Sequence, residues 1–207
     1  MNQIQQGYET PTSEATLQQV ADRIRARNIE VVIVNNGEEA RQIVLERIPK
    51  GAEVHSGKSK TLQDSGIFDA LQDPSQFNAL RHQMLKMDRK TQGKEIRKLI
   101  SAPDFMLGSV QAITEDGILV DVSATGSQIG PYANTAGKVI LVVGSHKIVP
   151  DLETAIRRIR EHVQPWEEAQ VQKLANIGTF VGKILLIERE WVNERMIVIL
   201  VREPIGI

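Results

Sequence analysis

The chain has 207 residues, no cysteine, 25 basic and 26 acidic side chains and a net charge of -1. Without cysteine it supplies no iron–sulfur ligand set, disulfide framework, Cys-containing zinc site or thiol nucleophile of its own. The near-neutral balance argues against a globally basic nucleic-acid binder or a polybasic membrane anchor.

Residues 1–12 read as a polar, Gln-rich N-terminal tail with no apolar signal core, and no stretch approaches the ~20 apolar residues of a membrane span. The expectation is a soluble cytoplasmic protein with a single domain over 13–207. Ser13 opens a helix whose Leu17, Val20, Ala21 and Ile24 recur at helical spacing, and Asn28 closes it. Val31–Val34 is a strand of β-branched type. Asn35–Asn36–Gly37 then leads into a helix stopped by Pro49. Glu53–His55 is a short strand, followed by the small polar run Ser56–Thr61 and a broken helix over Leu62–Leu71. Phe77–Ile100 reads as a long helical region weakened at Gly93. Strands follow at Asp104–Leu107, Ile118–Val122 and Val139–Val143, and Asp151 caps a helix with one apolar face. Pro165 precedes a second short helix, and Lys183–Arg189 and Glu194–Arg202 read as a C-terminal β-hairpin.

Runs such as V-V-I-V and V-I-L-V-V do not alternate apolar with polar residues. Such strands are buried on both faces, which requires cover on both sides of a mainly parallel sheet. The predicted class is therefore α/β, a three-layer α/β/α arrangement with a Rossmann-like sheet.

Familiar phosphate and metal motifs fail on spacing. Gly57–Lys58–Ser59 ends like a P-loop, but the first glycine of that motif would have to stand at Ala52. Gly126, Gly130 and Gly137 do not form G-x-G-x-x-G. His55, His82, His146 and His162 share no ligand spacing, so neither a metal nor a cofactor is expected. The seven basic residues between Arg81 and Lys98 lack interleaved aromatics and read as a solvated helix face. Position is more informative. Ligands of open parallel sheets bind beyond the carboxyl ends of the strands. The segments expected there are Ser56–Thr61, Ser109–Gln111 and Gly144–Lys147, joined by Thr114–Gly117 and Thr125–Gln128. The predicted crevice thus draws on Ser56, Gly57, Ser59, Thr61, Gln111, Gly126, Ser127, Gly144 and His146. Lys147 is its cation, with Glu115 and Asp116 as its carboxylates, and a small anionic metabolite is the expected ligand.

The segments K-S-K-T-L-Q-D-S-G-I (58–67), S-V-Q-A-I-T-E-D-G-I-L-V (109–120), T-G-S-Q (125–128), V-I-L-V-V-G-S-H-K-I-V-P-D-L-E-T-A-I-R-R-I-R (139–160) and I-V-I-L-V-R-E-P-I-G (197–206) stand out together. In combination they resemble the LUD-domain family of lactate-utilisation C-like proteins. The resemblance implies a fold similar to ribose-phosphate isomerases and CoA-transferases. It also implies an accessory or ligand-binding role in bacterial L-lactate utilisation beside iron–sulfur partner subunits. A second copy of the chain is a further candidate partner. Some relatives carry cysteines where Trp166–Gly182 has none, so this chain falls in a cysteine-free subgroup. The alternative is a CoA-transferase-like acyl transfer, with Glu115 of Thr114–Gly117 as a carboxylate nucleophile.

Overall fold

The computed structural model describes residues 7–207, so the first half of the predicted polar tail, 1–6, lies outside the described residues. Ser13 caps α1 (Glu14–Arg25) by accepting from the Thr16 N–H, and Asn28 ends the segment in the left-handed region at φ 60°. Asn36 caps α2 (Gly37–Arg47) in the same way after β1 (Glu30–Val34). Next come β2 (Glu53–Ser56), the short helices α3 (Lys60–Asp64) and α4 (Ile67–Ala70), and β3 (Asn78–Ala79). The long helix expected over 77–100 is two, α5 (Leu80–Leu85) and α6 (Gly93–Ser101). Between them Asp88 accepts from the Lys90 N–H and the Thr91 hydroxyl, an Asx turn that competes with helical hydrogen bonding.

The remaining elements are β4 (Phe105–Gly108), β5 (Ala112–Thr114), β6 (Leu119–Ser123), β7 (Lys138–Gly144), β8 (Ile148–Val149), α7 (Leu152–Arg158), α8 (Gln164–Ala175), β9 (Lys183–Ile187) and β10 (Met196–Val201). Asp151 caps α7 through the Thr154 N–H at 2.7 Å.

A six-stranded sheet runs β1-β10-β7-β4-β2-β3, with every neighbouring pair parallel. One face packs Ala40, Val44, Leu62 and Ile67 of the helices against Ile140, Val142 and Ile199. The other packs Leu17, Val20 and Ile24 of α1 against Val139, Leu141 and Val198, together with Ile113 and Leu119 of a second sheet. That second sheet, β8-β5-β6-β9, is backed by Ala155 of α7 and by Ile159.

The predicted C-terminal hairpin is corrected here. β9 pairs antiparallel with β6 at the edge of the small sheet, while β10 inserts between β1 and β7. The reason lies in burial. All six residues of β10 are buried, which demands a central slot, whereas β9 is exposed along most of its length. The connecting turn is anchored separately, by a buried ion pair of 2.6 Å between Arg195 and Glu190. Arg195 also donates to the carbonyls of Pro131, Tyr132 and Ala136, so its buried charge is fully hydrogen-bonded.

Candidate functional site: a cationic cavity at the strand ends

β2, β4 and β7 all end on the same side of the central sheet, and the segments that follow them meet at Lys147. Lys147 leaves a short 3-10 turn after β7 and is 2% exposed. Its ammonium nitrogen donates to Thr61 Oγ1 at 2.9 Å and to Ser109 Oγ at 3.2 Å. Ser59 caps α3 and so fixes the turn from which Thr61 projects. No carboxylate pairs with Lys147 among the described residues; Asp64, which acts on it at longer range, is engaged by Lys60 and the Gly206 N–H. Burial, reinforced by the nearby Arg158 guanidinium, holds the Lys147 ammonium well below its usual range.

The region behind Lys147 is cationic and buried. Arg158 is fully buried and donates to the Gln111 carbonyl at 2.7 Å, with no acidic partner among the described residues. His146 Nδ1, Arg158 Nε and His162 Nε2 have no hydrogen-bond partner. Burial, reinforced by the Lys147 and Arg158 charges, pushes His146 down to about 2 and lowers His162 as well, so neither imidazole favours a proton there. A cation held without a counter-ion in such surroundings attracts an anion far more strongly than one in water.

In front of Lys147 lies a cavity of about 850 Å³, bounded by the turns after β2 and β4, the 124–132 loop, α6 and the 163–167 segment. Its volume falls in the ordinary range of small-molecule sites. Of the residues expected in the crevice, Gly57, Ser59, Thr61, Gln111, Gly126, Ser127 and Lys147 line it. Ser56 sits just behind, buried, with its carbonyl accepting from Arg81. Gly144 and His146 pack against each other behind Lys147, because a Cβ on Gly144 would fall 2.8 Å from the imidazole.

Glu115 and Asp116 do not join the cavity. They form the turn between β5 and β6, closed by Gly117 at φ +92°. Their carbonyls accept from Arg23 and Arg27, so the turn is docked on the end of α1. The two carboxylates expected to face Lys147 are thus turn residues.

Three features of the cavity escaped the sequence. Arg81, Arg89 and Arg97, expected on a solvated helix face, line it instead. Tyr132 is buried with its hydroxyl over Gly108, where any Cβ would collide with it. Asp121 lines the cavity although it stands in an apolar strand, is 1% exposed, and has no hydrogen-bond partner on either carboxylate oxygen. The signal for Asp121 was available, since an acid inside the run Ile118–Val122 has to face something other than lipid-like core. No group of three or more His, Asp or Glu among the described residues is arranged to hold a metal ion. No helix among them is long and apolar enough to cross a membrane.

Comparison with known proteins agrees with this architecture. A crystal structure of a DUF162 family protein from Deinococcus radiodurans, determined at 1.70 Å resolution, superposes with a TM-score of 0.59 at 13% sequence identity. The match covers 92% of this chain and 99% of that one, and it concerns the fold. No curated protein matches the chain in sequence. The family model for the LUD domain matches residues 17–201, from α1 to the end of β10, and the chain belongs to the LUD-domain family.

Proposed function

We propose that this chain is an accessory, small-anion-binding subunit of bacterial L-lactate utilisation, acting in the cytoplasm beside iron–sulfur subunits that carry the electrons. Membership of the LUD family supports the metabolic setting. One observation carries the binding role: the buried Lys147, hydrogen-bonded to Thr61 and Ser109 at the edge of a cavity, with no carboxylate paired to it among the described residues. An anion entering there supplies the missing counter-charge, and the two hydroxyls complete its coordination. Acyl transfer through Glu115 draws no support from the geometry, because that carboxylate lies outside the cavity.

Lactate oxidation by extracts lacking this chain, complemented with the native protein or with Lys147→Met, tests the reading. The native chain restores the rate and co-purifies with a cysteine-rich iron–sulfur subunit, and the variant does neither fully. Equal rates with and without the chain would remove the lactate role.

A further inference from the structure

The cavity has a second pole that anion binding at Lys147 leaves unused. Asp121 belongs to β6, where Leu119 and Val120 on its N-terminal side are fully buried core residues. The nearest donors, the Val122 N–H and the Gln128 amide, lie close enough to favour its carboxylate but meet neither oxygen with hydrogen-bond geometry. The Val122 N–H donates to Gln111 Oε1 at 2.7 Å, and the Gln128 amide donates to the Val122 carbonyl at 3.2 Å. Gln128 Oε1 is taken by the Ser123 hydroxyl at 2.9 Å. Asp121 thus lines the cavity at 1% exposure, with neither carboxylate oxygen hydrogen-bonded. A buried, unsatisfied carboxyl costs stability, and one retained on a cavity wall is a polar contact awaiting a ligand.

Charge describes the rest of the ligand. Burial, with the nearby Arg89, disfavours the charge of Arg81, and none of Arg81, Arg89 and Arg97 has an ion-pair partner among the described residues. With Lys147, these three give the cavity more cations than one monocarboxylate neutralises. Glu167 is the one acidic side chain besides Asp121 on the cavity wall, and guanidinium groups paired with neither suit a dianion such as a phosphate. The volume of about 850 Å³ also far exceeds a three-carbon acid.

We propose that Asp121 is a ligand-contacting residue that accepts a hydrogen bond from a hydroxyl group, so that the cavity selects a hydroxylated organic dianion over its deoxy counterpart. The inference rests on the anion-binding reading above and adds the hydroxyl and the second negative charge. Burial pushes Asp121 up to about 8, so at pH 7 it is a neutral carboxyl. In that form it accepts from a hydroxyl and donates to an oxygen without opposing the dianion.

Calorimetric titration of the full chain with glycerol 3-phosphate, n-propyl phosphate, L-lactate and propionate tests this. The native protein binds glycerol 3-phosphate about tenfold more tightly than propyl phosphate, the worth of one well-made hydrogen bond. Asp121→Leu abolishes that preference while still binding propyl phosphate, and Asp121→Asn, which keeps an acceptor, retains part of it. Equal affinities of the native protein for the two phosphates overturn the role of Asp121 and leave the anion site standing. Tighter binding of L-lactate than of glycerol 3-phosphate overturns the dianion. Binding of none of the four removes the anion site, and this inference with it.

Discussion

Replacing Asp121 by Asn changes the pH dependence of stability in a direction set by its burial. In the folded protein the carboxyl keeps its proton up to about pH 8, whereas the unfolded chain loses it near 3.8. Between those values the native state binds more protons than the unfolded state, so this one group makes stability fall as pH rises. The slope is about 1.4 kcal/mol per pH unit, and the accumulated loss at pH 7 is about 4 kcal/mol. Asn has nearly the same shape and its own unsatisfied polar atoms, but it cannot ionise in the unfolded chain. Asp121→Asn is therefore expected to be more stable than the native protein, with a gain roughly 2–3 kcal/mol larger at pH 7 than at pH 5. For a domain of this length that difference is roughly 5–10 °C in Tm. His55, lowered to about 4 by burial, and the two other buried imidazoles impose an opposite slope below pH 6.5, but they act on both proteins alike and cancel. Urea unfolding of both proteins at pH 5, 6, 7 and 8 measures the effect. A constant difference across that range would refute the claim that Asp121 is buried and unpaired.

Lys147→Met is expected to fold and to gain stability at neutral pH, because the native lysine is held below its usual range and the unfolded chain binds its proton more tightly; thermal unfolding at pH 7.5 checks this, and a lower Tm would make the lysine structural. Glu190→Ala leaves Arg195 buried and unpaired, costing roughly 3–5 kcal/mol in urea unfolding. Gly108→Ala drives a methyl into the Tyr132 hydroxyl and is expected to cost about 1–3 kcal/mol, with altered tyrosine near-UV circular dichroism reporting the displaced ring. Val142→Asp, in the middle of β7, buries an unpaired carboxylate in the core, and loss of the cooperative unfolding transition is expected.

Most of the architecture is legible from hydropathy. The runs at 31–34, 139–143 and 196–201 are too uniformly apolar for half-exposed strands, and all three lie in the parallel sheet. Capping residues Ser13, Asn36 and Asp151 mark helix starts through chemistry that is local in sequence. The C-terminal pairing failed for the opposite reason. Adjacency along the chain favoured a hairpin, but strand partners are chosen by long-range burial, and β10 was claimed by β1 and β7. In the site, the rule of strand carboxyl ends located Thr61, Gln111 and Lys147, since each follows a strand of the parallel sheet or the turn that succeeds it. The rule cannot say which flanking loops face inward. Glu115 and Asp116 fall on a turn docked to α1, while Arg81, Arg89 and Arg97 come from a helical region whose facing depends on the break at 86–92.

The central claim, that the buried Lys147 is an anion site, is tested most directly by calorimetric titration with sulfate, which does not itself titrate near neutrality, at a series of pH values from 6 to 9. Burial disfavours the charged form of Lys147 and a bound anion favours it, so binding weakens as pH rises. The account predicts sulfate binding by the native protein that falls with rising pH and is lost in Lys147→Met. Binding that is independent of pH and equally strong in the variant would contradict it.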